Sequence, residues 1–375
     1  MVDKLTLGVE EEYLLVNPVT RNVMGNPPKG FFKACKAAIG ERVTPEFLRC
    51  QIEIATDICD TVADAKDQIA NMRGEISRIA EDMGMALMAA STHPFTPWKR
   101  QRPTEGERYE QLDNDMQGAI RRMMICGMHV HVGLENPEHR IDVQNQIRYF
   151  LPHMLALTTS SPFWESQPMG MKSYRLSVFD GMPRTGIPEA IDSFAEYQRL
   201  IDAIVMTGAI EDSSKIWWDI RPSAKFPTLE MRVCDVCTRL DDAMTVTAIY
   251  QSLTRRLLRL KEDNMKWRVY PAFLISENRW MAQRHGVTGD LIDFGSGKAV
   301  PYSEILEELI AWISEDADAL GCLTEVENAR NILERGSSAC RQLATYEQAR
   351  TAGLRKRDAF NAVVDMLVAE TKMGF

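Results

Sequence analysis

The stretch "LTLGVEEEYLLVNP", residues 5–18, restricts the fold more than any other part of this chain. Leu, Val and Tyr flank three adjacent glutamates, and the apolar spacing predicts a β-strand over 5–16. Side chains on a strand point alternately to opposite faces, so Glu10 and Glu12 share one face and Glu11 takes the other. An ionised carboxylate against a core is costly unless something pairs with it. Any fold of this chain must therefore supply partners on both faces of its first strand.

The rest of the chain sets strands apart from helices. "CQIEIAT" (50–56) predicts a second strand, with Gln51, Glu53 and Ala55 on one face. Val62, Ile69, Met72, Ile76, Ile79 and Met83 recur at helical spacing and predict a helix over 60–84. "MALMAAS" is a short strand, and "STHPFTPWKRQRPTEGERY" (91–109) a long polar, basic loop fit to act as a cover. A helix near 109–124 precedes "GMHVHVGLE" (127–135), which alternates strictly, with His129 and His131 on one face. A long helix is expected over about 138–159, irregular chain over 167–190 and a helix over 188–207. Strands follow at 215–223 and 228–236. From 241 the pattern is almost wholly helical. The expected architecture is α+β: a mainly antiparallel sheet covered by helices, with a helical C-terminal third. No linker or repeat divides the 375 residues, so one domain is expected, with a strand-containing core over 1–240.

A net charge of −9 and no basic stripe argue against a nucleic-acid partner. No apolar run approaches the roughly 18 residues of a membrane helix, and "MVDK" leads directly into a strand without a signal-peptide core. The eight cysteines are scattered, which suits a reduced cytoplasmic protein. Cys234 and Cys237 form a C-x-x-C that lacks a second ligand pair at zinc spacing. Their default role is packing.

Carboxylates on apolar strands carry the functional signal. Glu10, Glu12, Glu53 and Glu230 lie on three predicted strands, and like charges repel unless a cation sits between them. An oxygen-rich set without cysteine suits Mg²⁺ or Mn²⁺. Arg232 shares a strand face with Glu230, a pairing that fits a site holding both metal and phosphate. No phosphate loop, no G-x-G-x-x-G after a strand and no G-x-S-x-G is present. A nucleotide, if bound, is held by metals and arginines.

Together "LGVEEEYLL", "QIEIAT", "GMHVHVGLE", "RLSVFDGMPRTGIP", "DIRPS", "LEMRVCDV" and "ENRWMAQRHG" resemble the carboxylate–amine ligases of the YbdK type. These belong to the wider glutamate–cysteine ligase family, with a catalytic fold like that of glutamine synthetase. The resemblance implies a curved sheet whose concave face holds ATP phosphates through divalent cations. It implies metal ligands at Glu10, Glu12, Glu53, His131 and Glu230, with Glu46 a further candidate. It places Arg232 on the transferring phosphoryl group beside Glu12 and Glu230. Arg175, Arg184 and Arg221 are candidates for the carboxylate substrate or the phosphates.

The chemistry implied is ATP-dependent amide formation through an acyl phosphate, with glutamate as a plausible acyl donor, weak glutamate–cysteine ligase activity, and the amine left open. Small carboxylates and amines are the expected partners, and a homodimer the expected assembly if there is one. Two rivals stand beside this reading. A metal-dependent amidohydrolase would use His129 and His131 without nucleotide, and a catalytically silent protein of the same fold would bind nucleotide without turnover.

Overall fold

The computed structural model describes residues 4–375, the side chains at 108 and 112 excepted. Seven strands form the central sheet: β1 (Leu7–Val16), β2 (Val43–Pro45), β3 (Gln51–Ala55), β4 (Ala86–Met88), β5 (Met128–Gly133), β6 (Ile220–Pro222) and β7 (Thr228–Met231). Their order is β6-β7-β5-β1-β3-β2, with β4 pairing the far end of β1 beyond β5, and every pairing is antiparallel. The expected α+β architecture with a helical C-terminal region is the one found.

Helices cover the face of β1 that carries Leu7, Val9, Glu11 and Tyr13, all at most 2% exposed. The covering elements are Val62–Asp82 and Leu240–Glu262, which pack on each other as well as on the sheet. Thr61 starts the first of them: its side chain accepts from Asp64 N while the Asp64 side chain accepts from Thr61 N. The apolar core is continuous from Leu5 to Leu367, so the C-terminal helices are part of the same packed interior. A second, small cluster centred on Ile141, Tyr197 and Ile201 lies beside it. Among the described residues no helix is long and apolar enough to cross a membrane.

Several elements differ from expectation. Residues 91–96 are buried: Ser91 bonds Val236 N, and His93 Nδ1 accepts from Phe95 N and Thr96 N. Only the later part of the expected loop lies near the surface, and it enters a helix at Glu107. The helix expected over 138–159 is interrupted by a tight turn at Arg148–Phe150 and restarts with Pro152, whose missing N–H suits a first turn. The helical third contains a hairpin, Asp290–Asp293 with Lys298–Pro301. Its "FGSG" turn is closed by Asp293, which accepts from Gly295 N at 2.8 Å. All eight cysteines are free, and burial pushes the Cys234 thiol up to about 12, so the C-x-x-C is protonated packing.

Candidate active site on the open face of the sheet

Register, more than any single motif, assembles the site. Glu12 lies opposite Glu53, which lies opposite Thr44. Glu10 lies opposite His129. Gly8, His131, Glu230 and Arg221 form a further row across four strands. Antiparallel partners stand about 4.5–5.5 Å apart, so the alternation of each strand sums to one polar patch.

Within it Glu10 is held by two imidazoles, Oε2 at 3.0 Å from His129 Nδ1 and Oε1 at 3.4 Å from His131 Nε2. Burial alone would raise the Glu10 pKa, but these contacts outweigh it and hold the carboxyl well below its usual range. Glu12 accepts from Gly127 N at 2.7 Å. A Cβ at residue 127 would sit 2.4 Å from Arg175 Nη2, so glycine there leaves room for that buried guanidinium. Glu53 accepts from Thr44 Oγ1 at 3.0 Å. Burial, then Glu46, Glu10 and Glu12, push its carboxyl well above the ordinary value.

Glu230, at 2% exposed, is held between two guanidiniums: Arg221 Nε donates at 2.9 Å, and Arg232 Nη1 pairs with the other oxygen. Burial opposes its ionisation, yet Arg232, His131 and Arg221 keep it ionised far below the usual carboxylate range. His131 is shifted up despite its burial, by Glu10 and Glu230. His129 is shifted down, by burial and by Arg232.

Two triplets have ligand atoms within 4.8 Å of one another: Glu10, His129 and Glu230, and Glu12, Glu53 and His129. His129 is common to both. Strand alternation alone left His129 and His131 equivalent, and only the register against Glu10 separates them. Arg232 and Arg221 both pair directly with Glu230, and Arg232 reaches Glu10 and Glu12 only through space, so Glu10, Glu12 and Glu53 crowd together with little direct cationic pairing beyond the imidazoles. His131 Nε2, buried and 3.4 Å from Glu10 Oε1, is close to that oxygen without a well-directed hydrogen bond. This excess of carboxylate oxygen, lacking thiolates, fits a divalent cation of the Mg²⁺ or Mn²⁺ type.

The structure thus gathers Glu10, Glu12, Glu46, Glu53, His131, Glu230 and Arg232 on or beside one face. It does not bring the other arginines there as open donors. Arg175 is buried, with Nη1 and Nη2 on the carbonyls of Val233 and Arg232 at 3.2 and 3.3 Å, so it props the backbone that carries Arg232. Arg221 gives its donors to Glu230 and to the carbonyls of Ser213, Ser214 and Ile216. Arg184 lies in an adjoining cleft, with Nε on Lys215 O.

On the helix-covered face, Glu11 is fully buried. Arg73 donates to it from Nε at 2.9 Å and from Nη2 at 2.7 Å, and the Tyr13 hydroxyl donates to it as well. The remaining donors of Arg73 hold the carbonyls of Cys237 and Thr238.

The fold is similar to that of solved ligases. Against a bifunctional glutathione synthetase from Pasteurella multocida the TM-score is 0.71 at 15% identity, covering 98% of this chain and 53% of that one. Against a glutamate–cysteine ligase from Francisella tularensis, solved in complex with AMP, it is 0.70 at 13% identity, covering 98% and 89%. In sequence, the chain is 51% identical over 370 residues to a Rhodospirillum rubrum protein named "Putative glutamate--cysteine ligase 2", covering 98% of this chain and 95% of the relative. A Paracoccus denitrificans protein of the same name is 49% identical over 367 residues, covering 98% and 97%. The family profile described as glutamate–cysteine ligase family 2 matches residues 6–360, and the chain belongs to that family.

Proposed function

We propose that this protein is an ATP-dependent carboxylate–amine ligase that forms an amide bond through an acyl phosphate. The family makes it an ATP-dependent ligase. The observation that supports the route is the surplus of carboxylates around His129, set beside Glu230 and its arginines. A carboxylate oxygen is too poor a leaving group for direct amide formation. Its attack on the γ-phosphorus, with ADP departing, makes a mixed anhydride; the amine nitrogen then forms the C–N bond as inorganic phosphate leaves.

Glu10, His129 and Glu230, together with Glu12 and Glu53, would hold divalent cation, which when bound neutralises charge on the phosphate oxygens. The protein's own residues do the positioning. Gly127 N and Thr44 fix the Glu12 and Glu53 carboxylates. Arg221 holds Glu230, which in turn pairs with Arg232 and fixes its guanidinium beside the carboxylates, where it would meet charge on an equatorial phosphoryl oxygen. Preorganised donors of this kind lower the barrier because they need not reorient as charge develops.

Glutamate is the first acyl donor to try and cysteine the first amine, since the relatives carry those names. The test is ADP release across a panel of carboxylates paired with amines. The reading expects release only when both are present. Amide hydrolysis without nucleotide, or nucleotide binding with no release for any pair, would overturn it.

A further inference from the structure

The stretch "ENRWMAQRHG" (277–286) supplies none of the residues gathered on the open face, yet three of its polar side chains, Asn278, Arg279 and Gln283, are buried. They share the inward face of the helix Ala272–His285 with Ile275 and Ala282. Two of them hold neighbouring segments. Asn278 Nδ2 donates to Ile292 O at 2.8 Å while its Oδ1 accepts from Ile292 N at 2.7 Å, and Gln283 donates to Ser177 Oγ at 2.7 Å.

Arg279 links two carboxylates. Its Nε and Nη2 donate to Asp219 at 2.6 and 3.3 Å, and its Nη1 and Nη2 donate to the two oxygens of Asp180, each at 2.8 Å. A planar guanidinium bound at both ends fixes the two segments relative to each other. Both segments hold the backbone of Arg232. Asp219 O accepts from Arg232 N at 2.8 Å. Asp180 ends the short helix Tyr174–Phe179, which carries Arg175, and Arg175 Nη2 donates to Arg232 O at 3.3 Å. The N–H and the C=O of Arg232 are therefore held from two places that meet at one guanidinium. Asp219 also leads into β6, whose Arg221 holds Glu230.

We propose that Arg279 is a positioning residue for Arg232, and that the C-terminal helical region contributes to the site through it. The assignment rests on the ligase reading and on the part Arg232 takes in it. Arg279 acts through the Asp219 carbonyl and through Arg175, and sets where the Arg232 guanidinium stands against the transferring phosphoryl group. A shift of about 1 Å in such a group can lower turnover by roughly 10²-fold without touching substrate affinity to the same degree.

The test is steady-state ADP release by the full chain, with Mg–ATP and the carboxylate–amine pair that supports it, for Arg279→Gln and Arg279→Lys, alone and combined with Arg232→Lys. Thermal melts correct each rate for the folded fraction. Arg279→Gln is expected to lower kcat by roughly 10–100-fold while the KM for ATP stays within about threefold. Arg279→Lys, which keeps the charge but cannot reach both carboxylates with a fork, recovers part of the loss. In the Arg232→Lys background Arg279→Gln costs less than about threefold, because both changes disable the same group. Asn278→Ala, on the same helix, lowers the melting temperature and keeps kcat within about twofold. Should Arg279→Gln fail to fold, Arg279→Lys and its combination with Arg232→Lys carry the test. A kcat within about twofold of wild type in the folded Arg279 variants, full additivity with Arg232→Lys, or an equal fall in Asn278→Ala overturns the assignment and leaves the ligase reading standing. If wild type releases no ADP with any pair, the ligase reading fails, and hydrogen exchange of the Arg232 N–H then judges the clamp. Exchange faster in the Arg279 variants than in Asn278→Ala upholds it, and unchanged exchange overturns it.

Discussion

On one side of β1, Glu11 meets Arg73 and Tyr13 in a dry ion pair; on the other, Glu10 and Glu12 meet Glu53, Glu46 and two histidines. The three glutamates are consecutive, so the difference comes from what the fold sets against each. A structural carboxylate carries its counter-charge within the chain, with each nitrogen of the partner guanidinium hydrogen-bonded. The carboxylates on the open face share too little positive charge, and that deficit marks a place for something the chain does not supply. Buried charge alone therefore does not separate structure from function; whether its compensation is complete does.

Removing the compensation on the closed face gives the largest expected effect. Arg73→Met leaves Glu11 buried with the Tyr13 hydroxyl but no counter-charge and frees two carbonyls, destabilising the protein by about 3–5 kcal/mol in denaturant unfolding. The double variant Glu11→Leu with Arg73→Met recovers much of that loss. A single variant as stable as wild type would break the comparison from the structural side. On the open face the sign reverses. Glu12→Gln lowers turnover by several kcal/mol of barrier while its melting temperature holds or rises, because a repulsion with Glu53 is relieved. A fall in stability as large as that of Arg73→Met would show that both faces are structural.

Arg232→Lys keeps the charge but loses the planar donor. Steady-state ADP release is expected to fall by roughly 10²-fold, with ATP affinity changed only modestly. Near-normal turnover in a folded variant would leave Arg232 a partner of Glu230 alone.

The histidines divide as the glutamates do. His93 and His153 are buried away from the open face, and burial pushes their pKa values down to about 3 and about 4. A depressed histidine pKa means that the folded state resists a proton the unfolded chain accepts. The stability they contribute is complete above the unfolded value near 6.5 and is lost as pH falls toward 4 and 3. At pH 5 the loss is about 2 kcal/mol for each. Denaturant unfolding at pH 7 and pH 5 measures it, and His153→Phe should reduce the slope. An unchanged slope would remove His153 from the account.

Much of the open face was legible because strand alternation is a rule about single strands. It placed Glu10 with Glu12, isolated Glu11 and paired Glu230 with Arg232. What could not be read was anything that depends on two strands at once. His129 rather than His131 became the shared member of both triplets because of its register against Glu10. Arg73 was hidden in an ordinary helix, since nothing local marks which helical arginine will reach a strand across the core. The arginines failed for a related reason. Arg175 and Arg221 look like Arg232 in sequence, but backbone carbonyls absorb their donors. The buried start of 91–109 was missed because its Ser, Thr and His are polar yet satisfied internally.

The central claim is that the open face is short of positive charge and takes a divalent cation together with nucleotide. Calorimetric titration of ATP into the protein, first with Mg²⁺ and then with excess chelator, tests it most directly. The account predicts that ATP affinity falls by at least ~10-fold when the cation is removed, because the carboxylates then face the triphosphate unscreened. Equal affinity under both conditions would contradict it.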